Sequence, residues 1–403
     1  MNRTQTSCLL SSYFLYECGR AMYFVLITWF LFQWTKDALY TGLFVSFGFL
    51  PGLLSNLIFG VIVDRYNRKF LALLAGGVSV LFLFLLWGAF FMNLIKPWVM
   101  IGTHMMLQTA GSLFRPSLQA LVAEVFNKEA LPRIFSLSSS STIAGSLVGA
   151  GVGGLFSGWF AVETAMMIVI GLYAGAFLAT ALLSYERKER KSTGKSPSFW
   201  RELKQGFTYL NTHQMLYGLF VMMMLGQLTF HTTLGFLSVY TSAYLHQSST
   251  IYGLLDATFS VGGITAGLLG TWWWMKCKNH LAIWSLLTVA VGLLLLAFAQ
   301  QTLIAYVGVI CVGIGTSLVR ALLQSVQQIA TEKEFHGRMA SFRMLCNQTS
   351  VVITGPLFGY IAASYGANYV FLFLLIPIVL GTIWAVLQAR NPVFIAITNQ
   401  KTA

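Results

Sequence analysis

Residues 112–136 read SLFRPSLQALVAEVFNKEALPRIFS, and residues 317–341 read SLVRALLQSVQQIATEKEFHGRMAS. A constant offset of 205 pairs Arg115 with Arg320, Gln119 with Gln324, Lys128 with Lys333, Glu129 with Glu334 and Arg133 with Arg338. Slightly further along, GAGVGG from Gly149 faces GPLFG from Gly355. A repeat of this period marks a duplicated chain. Such a duplication predicts a pseudo-two-fold pair of bundles with a binding site between them near the bilayer midplane.

The composition says what kind of bundle this is. Apolar residues make up 57% of the 403 residues and charged ones only 9%, against about 25% charged in a soluble domain. So few charges could not cover the surface of a soluble fold of this length. Apolar runs give twelve spans, at roughly 20 residues each: 8–34, 39–62, 70–92, 97–119, 135–158 and 163–185, then 215–243, 250–274, 280–299, 302–326, 341–363 and 367–388. The expected fold is an all-α membrane protein, twelve transmembrane helices in two pseudo-symmetric six-helix bundles. The N-terminal bundle covers 1–185, a cytoplasmic linker 186–214, and the C-terminal bundle 215–403. Within the linker, Trp200, Leu203, Phe207 and Leu210 recur at helical spacing and predict an amphipathic helix along the inner membrane surface.

A formal charge of +13 taken alone would suggest a nucleic-acid partner, but the basic residues sit in short gaps between apolar runs, as membrane topology requires. No nucleic-acid partner is therefore expected. Arg65, Arg68 and Lys69, then Lys128 and Arg133, the linker, Lys276 and Lys278, and Lys333 and Arg338 fall on one side. Only Lys36 and Lys96 occupy the opposite gaps. The bias predicts a multi-pass protein of the plasma (inner) membrane, bacterial, with both termini in the cytoplasm. The five cysteines fall in spans or near Lys276 and imply no disulfide framework. The first apolar run carries no small-residue cleavage pattern and reads as a span, without a signal peptide.

Charges inside spans are few and costly, so each invites a function. Glu17 and Arg20 stand three residues apart in LLSSYFLYECGRAMYF, from Leu9, and share a helix face. Arg20 would hold an anionic group of a substrate. Glu17 would hold an amine or carry a coupling proton, as a carboxylate in a low-dielectric cavity can. The competing reading is a local ion pair. Asp256 is a second proton candidate. His104 and His231 could contact substrate or titrate, or be packing residues. Tyr16, with Tyr13, Tyr23 and Phe24, surrounds the first-helix charges and suits either core packing or a cavity for amphipathic ligands. Arg115 and Arg320 read as snorkelling to the inner headgroups or bracing a gate.

Residues 60–69 read GVIVDRYNRK. In a duplicated twelve-span chain, the pattern GxxxDRxxRK in the second gap resembles the major facilitator superfamily. The resemblance implies that Gly60, Asp64, Arg65, Arg68 and Lys69 form a cytoplasmic latch with Arg338 and Arg343 of the other half. The matching loop, GLLGTWWWMKCKNH from Gly267, lacks the acid, so the latch would be one-sided. GSLVGAGVGG, residues 145–154, resembles the glycine motif of the family's exporter branch, with Ala150 in place of proline. It assigns Gly145, Gly149, Gly153 and Gly154 to tight helix packing. The whole-chain character resembles the branch holding macrolide efflux pumps and siderophore exporters.

These readings imply a proton-coupled exporter of a small polar or amphipathic molecule, working as a monomer in the lipid bilayer. The charged pair favours a metallophore, and multidrug or macrolide efflux is the alternative. No GxxxxGK[ST] stretch occurs, so ATP is not the direct energy source, and no cofactor beyond the proton gradient is expected. No HExxH or paired-Asp arrangement points to an intramembrane enzyme, and no metal site is expected.

Overall fold

A computed structural model describes the backbone of residues 3–185, 199–332 and 335–399; the side chains of 54, 56–58, 60, 61, 64, 65, 128 and 199–204 fall outside that description. Among the described residues the secondary structure is helical throughout. Twelve long helices account for the membrane spans: α1 (Arg3–Thr35), α2 (Ala38–Arg65), α3 (Arg68–Phe91), α4 (Pro97–Val125), α5 (Leu131–Trp159), α6 (Val162–Ala181), α8 (Gln214–Val239), α9 (Ser249–Cys277), α10 (Leu281–Phe298), α11 (Thr302–Ala330), α12 (His336–Tyr365) and α13 (Ala367–Gln388). Two shorter ones, α7 (Phe199–Thr212) and α14 (Pro392–Thr398), complete the set. Even the 18-residue α10 reaches about 27 Å at 1.5 Å per residue, close to the hydrocarbon thickness.

Local chemistry sets the boundaries. Asp37 Oδ1 accepts from the Leu39 amide at 2.8 Å and starts α2, and Asn67 Oδ1 caps α3 through Phe70 N. Pro97 opens α4, where a missing N–H costs nothing. Gly366, at φ 114°, makes the left-handed break between α12 and α13. By length and apolar composition alone, seven segments of the described residues qualify as spans, with α9 and α10 counted as one. Helices α4, α5 and α12 fall short because they carry Ser, Gly and Gln, and these helices build the sites below. Large side chains such as Leu182, Leu268 and Leu303 face outward, a pattern that suits lipid and would be a liability in water.

The chain forms two compact units. The first holds Met1–Lys195 with Gln247–Ala257, and the second Ser196–His246 with Thr258–Ala403. The beginning of α9 thus packs with the first unit. In that unit α1 is central, in contact with α2, α4, α5 and α6, and buries Met22, Tyr23, Val25 and Ile27. In the second unit α10 packs on α11 and α13, and α8 on α11, α12 and α13. The amphipathic helix of the linker is present as α7. Its described residues dock on α12 and α8: Tyr209 stacks on Phe335 at 4.1 Å, and Leu210 is buried. Along these residues the helix packs on its own unit, where Tyr209 and Leu210 find apolar partners, while Phe207 stays half-exposed.

Candidate functional site

The corner of the first unit made by α1, α4 and α5 is closed by charge and by glycine. Arg20 Nε donates to Glu17 Oε2 at 2.7 Å, one turn back along α1. Arg115 Nη2 on α4 reaches the other oxygen, Oε1, at 2.6 Å. The Glu17 side chain is 5% exposed and that of Arg115 50%. The snorkelling expected of Arg115 is therefore corrected. The expected span ended at 119, but α4 runs on to Val125, leaving Arg115 ten residues from its end, or about 15 Å. At that depth a buried carboxylate is the nearer partner. The Arg115 guanidinium also lies 5.8 Å from the centroid of the Tyr16 ring, which stacks on Phe114 at 4.3 Å and meets Tyr173 edge-on at 5.3 Å. Each Glu17 oxygen thus carries a guanidinium contact, so a proton or a ligand at this residue competes with two positive charges.

The glycines of α5 seat that helix on its neighbours. A Cβ on Gly145 would strike the Phe14 carbonyl, and one on Gly149 the Cys18 carbonyl; at Gly153 it would come within 3.1 Å of Met22 Cα. All three face α1. Gly154 faces the beginning of α9, where an added Cβ would lie 2.5 Å from Gly253 Cα and 2.7 Å from Ser249 O. The motif is thus a backbone-to-backbone seam on two sides of α5.

Asp256 lies on the α9 segment that this seam carries. It is 7% exposed. Among the described residues, ion pairs form between Glu17 and Arg20, Glu17 and Arg115, and Arg68 and Glu124, and none reaches Asp256. One turn away, Tyr252 OH bonds Thr28 Oγ1 at 2.7 Å, and its ring stacks on Trp29 at 5.9 Å. Because Thr28 donates its own hydroxyl to Phe24 O at 2.7 Å, Tyr252 is the donor in that pair.

The two histidines differ in setting. His104 is 5% exposed, stacked on Phe44 at 3.9 Å and near Tyr23, with Nδ1 buried and without a hydrogen-bond partner. Gly48 leaves room for its ring. His231 is half-buried on α8, edge-on to Phe230 at 4.8 Å.

At the α2–α3 turn, Gly60 and the side chains of Asp64 and Arg65 lie outside the described residues. Arg68 Nη1 pairs with Glu124 Oε1 at 2.9 Å and donates to Ala120 O, also at 2.9 Å. Tyr185 OH donates to the other Glu124 oxygen at 2.8 Å. Lys69 Nζ donates to Ala181 O and Leu183 O, each at 2.7 Å. These bonds tie α3 to the ends of α4 and α6 within the first unit. Glu124 was invisible in the sequence because the expected fourth span stopped short of it. In the second unit Arg338 lies 4.9 Å over the Phe335 ring.

The second unit holds a cavity of about 380 Å³ lined by Met223 and Gln227 of α8, Arg320 and Gln324 of α11, and Ala340, Ser341, Arg343, Met344 and Asn347 of α12. Arg343 Nη1 donates to Gln327 Oε1 at 3.0 Å. Arg320 lies 5.9 Å over the Phe230 ring. Among the described residues no acid lines the space. No group of three or more His, Cys, Asp or Glu among the described residues is placed to hold a metal ion.

Comparison with known proteins gives this architecture its relatives. The family model described as Major Facilitator Superfamily matches residues 9–241 and 219–397. The multi-drug resistance efflux pump PmrA homolog of Lactococcus lactis is 25% identical over 334 residues, covering 81% of this chain and 79% of that protein. Macrolide efflux protein A of Streptococcus pyogenes is 22% identical over 363 residues, covering 86% of each. The crystal structure of the nucleoside transporter NupG superposes with a TM-score of 0.78 at 15% identity, over 97% of this chain and 100% of that one, a likeness of fold.

Proposed function

Because this chain belongs to the Major Facilitator Superfamily, and so is a multi-pass membrane transporter and not an enzyme, we propose that it exports amphipathic, drug-like molecules from the bacterial cytoplasm in exchange for protons. The relatives named for multidrug and macrolide efflux support this substrate class. The metallophore reading rested on the charged pair of α1, and the relatives' names lend it no support. The basic gaps of the sequence support cytoplasmic termini and the plasma membrane. No group other than the proton gradient is needed to drive the cycle.

The observation that carries the coupling is Asp256, an acid in a membrane helix, buried and, among the described residues, without an ion pair. A lone carboxylate there is costly when charged and inexpensive when protonated. Its helix segment rests on the glycine seam of α5 and on Thr28, so gaining or losing a proton changes how well that segment docks. Glu17 lacks this property, since two guanidinium groups favour its charged form. The test uses everted membrane vesicles energised to an acidic interior, with ethidium and a labelled macrolide as substrates. The wild type accumulates them, and nigericin abolishes the accumulation. Asp256→Asn loses gradient-driven accumulation at least about tenfold while retaining ethidium exchange without a gradient. Full accumulation by Asp256→Asn removes it as the coupling site; no accumulation by the wild type refutes the efflux reading.

A further inference from the structure

The cavity of the second unit has a chemistry the transport reading does not use. Two of its walls carry guanidinium groups, Arg320 on α11 and Arg343 on α12, and among the described residues no Asp or Glu lines it. Among the described residues no ion pair or side-chain hydrogen bond engages Arg320, whose only neighbour of note is the Phe230 face. Arg343 is held by one neutral bond to Gln327. Gln227 and Gln324 add amides from α8 and α11, and Asn347 Oδ1 is buried with no partner. Two uncompensated cations inside a membrane bundle are expensive unless something negative joins them. The apolar share of the lining, Met223, Met344 and Ala340, is adaptable surface suited to a hydrophobic body.

We propose that this cavity is an anion subsite that takes the carboxylate or phosphate head of an amphipathic molecule, with Arg320 and Arg343 supplying the charge and Gln227, Gln324 and Asn347 the further donors. The inference deepens the efflux reading and rests on it for the transported class, which it extends to acidic amphipaths. A planar guanidinium pairs with either head in two-point fashion. An anionic phospholipid head has the same chemistry as a free acidic ligand, and the test separates the two.

The full chain, in phosphatidylcholine nanodiscs, is titrated with 1-pyrenebutyrate and with its methyl ester. The wild type should bind the acid at least about tenfold more tightly, one or two charge-assisted bonds' worth, and the preference should shrink as salt rises. In Arg320→Gln and in Arg343→Gln the acid-to-ester ratio should fall towards one, with Arg320→Lys keeping part of it. Equal binding of acid and ester by the wild type overturns the proposal without any variant, so a variant that does not fold leaves it testable. An undiminished preference in both folded glutamine variants overturns it as well. Nanodiscs containing phosphatidylglycerol assign the source: displacement of pyrenebutyrate supports the anion site with a lipid head as its occupant, and no displacement supports it with a free acid. Ethidium accumulation by wild-type vesicles stands apart. A protein that fails it yet prefers the acid keeps this subsite and loses the efflux reading.

Discussion

Arg115 and Arg320 occupy the same place in the two copies of the repeat, and their surroundings have gone opposite ways. In the first unit Arg115 meets a buried carboxylate, and α5 is seated on α1 through Gly145, Gly149 and Gly153. In the second unit Arg320, among the described residues, meets no acid, and α8, α11 and α12 line a cavity. At the offset of the repeat, Ser350 and Thr354 stand where Gly145 and Gly149 stand, and their hydroxyls bond back to their own helix at 2.8 and 2.7 Å. One framework thus supports a sealed corner and an open one. The difference amounts to a few side chains: an acid and three glycines on one side, with Met222, Ser350, Thr354 and Phe358 at the matching places on the other. A duplicated transporter can in this way keep one half rigid while the other retains room for a ligand.

The largest expected effect comes from taking the acid out of the sealed corner. Glu17→Gln leaves two guanidinium groups facing each other where a carboxylate held both. Breaking a buried pair costs about 3–5 kcal/mol, and the lower end applies here because Arg115 is half-exposed. The thermal midpoint in detergent should fall clearly, and adding Arg115→Gln to Glu17→Gln should recover part of the loss, since the two sites are coupled. An unchanged midpoint for Glu17→Gln would mean that the three charges do not hold this corner, and the contrast with Arg320 would collapse.

Next in size is the seam. Gly149→Ala drives a methyl into the Cys18 carbonyl, an overpacking cost of about 1–3 kcal/mol. Gly151, two residues on, offers a control within the same helix: a Cβ there would find only Ala257 Cβ at 3.9 Å, an ordinary contact. Gly149→Ala should lower the thermal midpoint and Gly151→Ala should leave it in place. Equal effects from the two would show that helix propensity, and not close approach to α1, governs α5.

The fold was legible because apolar runs long enough to span lipid are hard to mistake, and the repeat organised them. The ends were less so. The fifth helix begins at Leu131 and the twelfth at His336, four and five residues before the apolar runs, since a helix does not stop where its hydrophobic stretch does. The fourth likewise runs on to Val125, six residues past its apolar run, and that overrun hid Glu124, the partner of Arg68. The site was legible only in part. Glu17, Arg20 and Asp256 stood out as charges inside spans, yet a contact from α1 to α4 across nearly a hundred residues leaves no local trace in a single sequence. One signal was present and unread: the offset that aligns the arginines sets Met222 against Glu17 and Leu225 against Arg20. The second copy has no acid or base at those positions, which is the chemistry of an uncompensated Arg320.

The smallest effect tests that last point most directly. Gln227→Glu keeps the shape of a side chain that lines the cavity with Arg320 and Arg343 and adds a carboxylate, which the described lining lacks. If the two guanidinium groups are uncompensated, the change gives them a partner, and the gain should be about 1 kcal/mol, limited because Arg320 is exposed to the cavity. The thermal midpoint should rise slightly, and binding of an acidic amphipath should weaken, since its place beside the arginines is taken. A fall in the midpoint would mean that the added charge meets no cation, so that the arginines of the open corner are already satisfied in the folded protein. The contrast between the two copies would then be one of packing alone, with the glycines of α5 carrying it and the charges incidental.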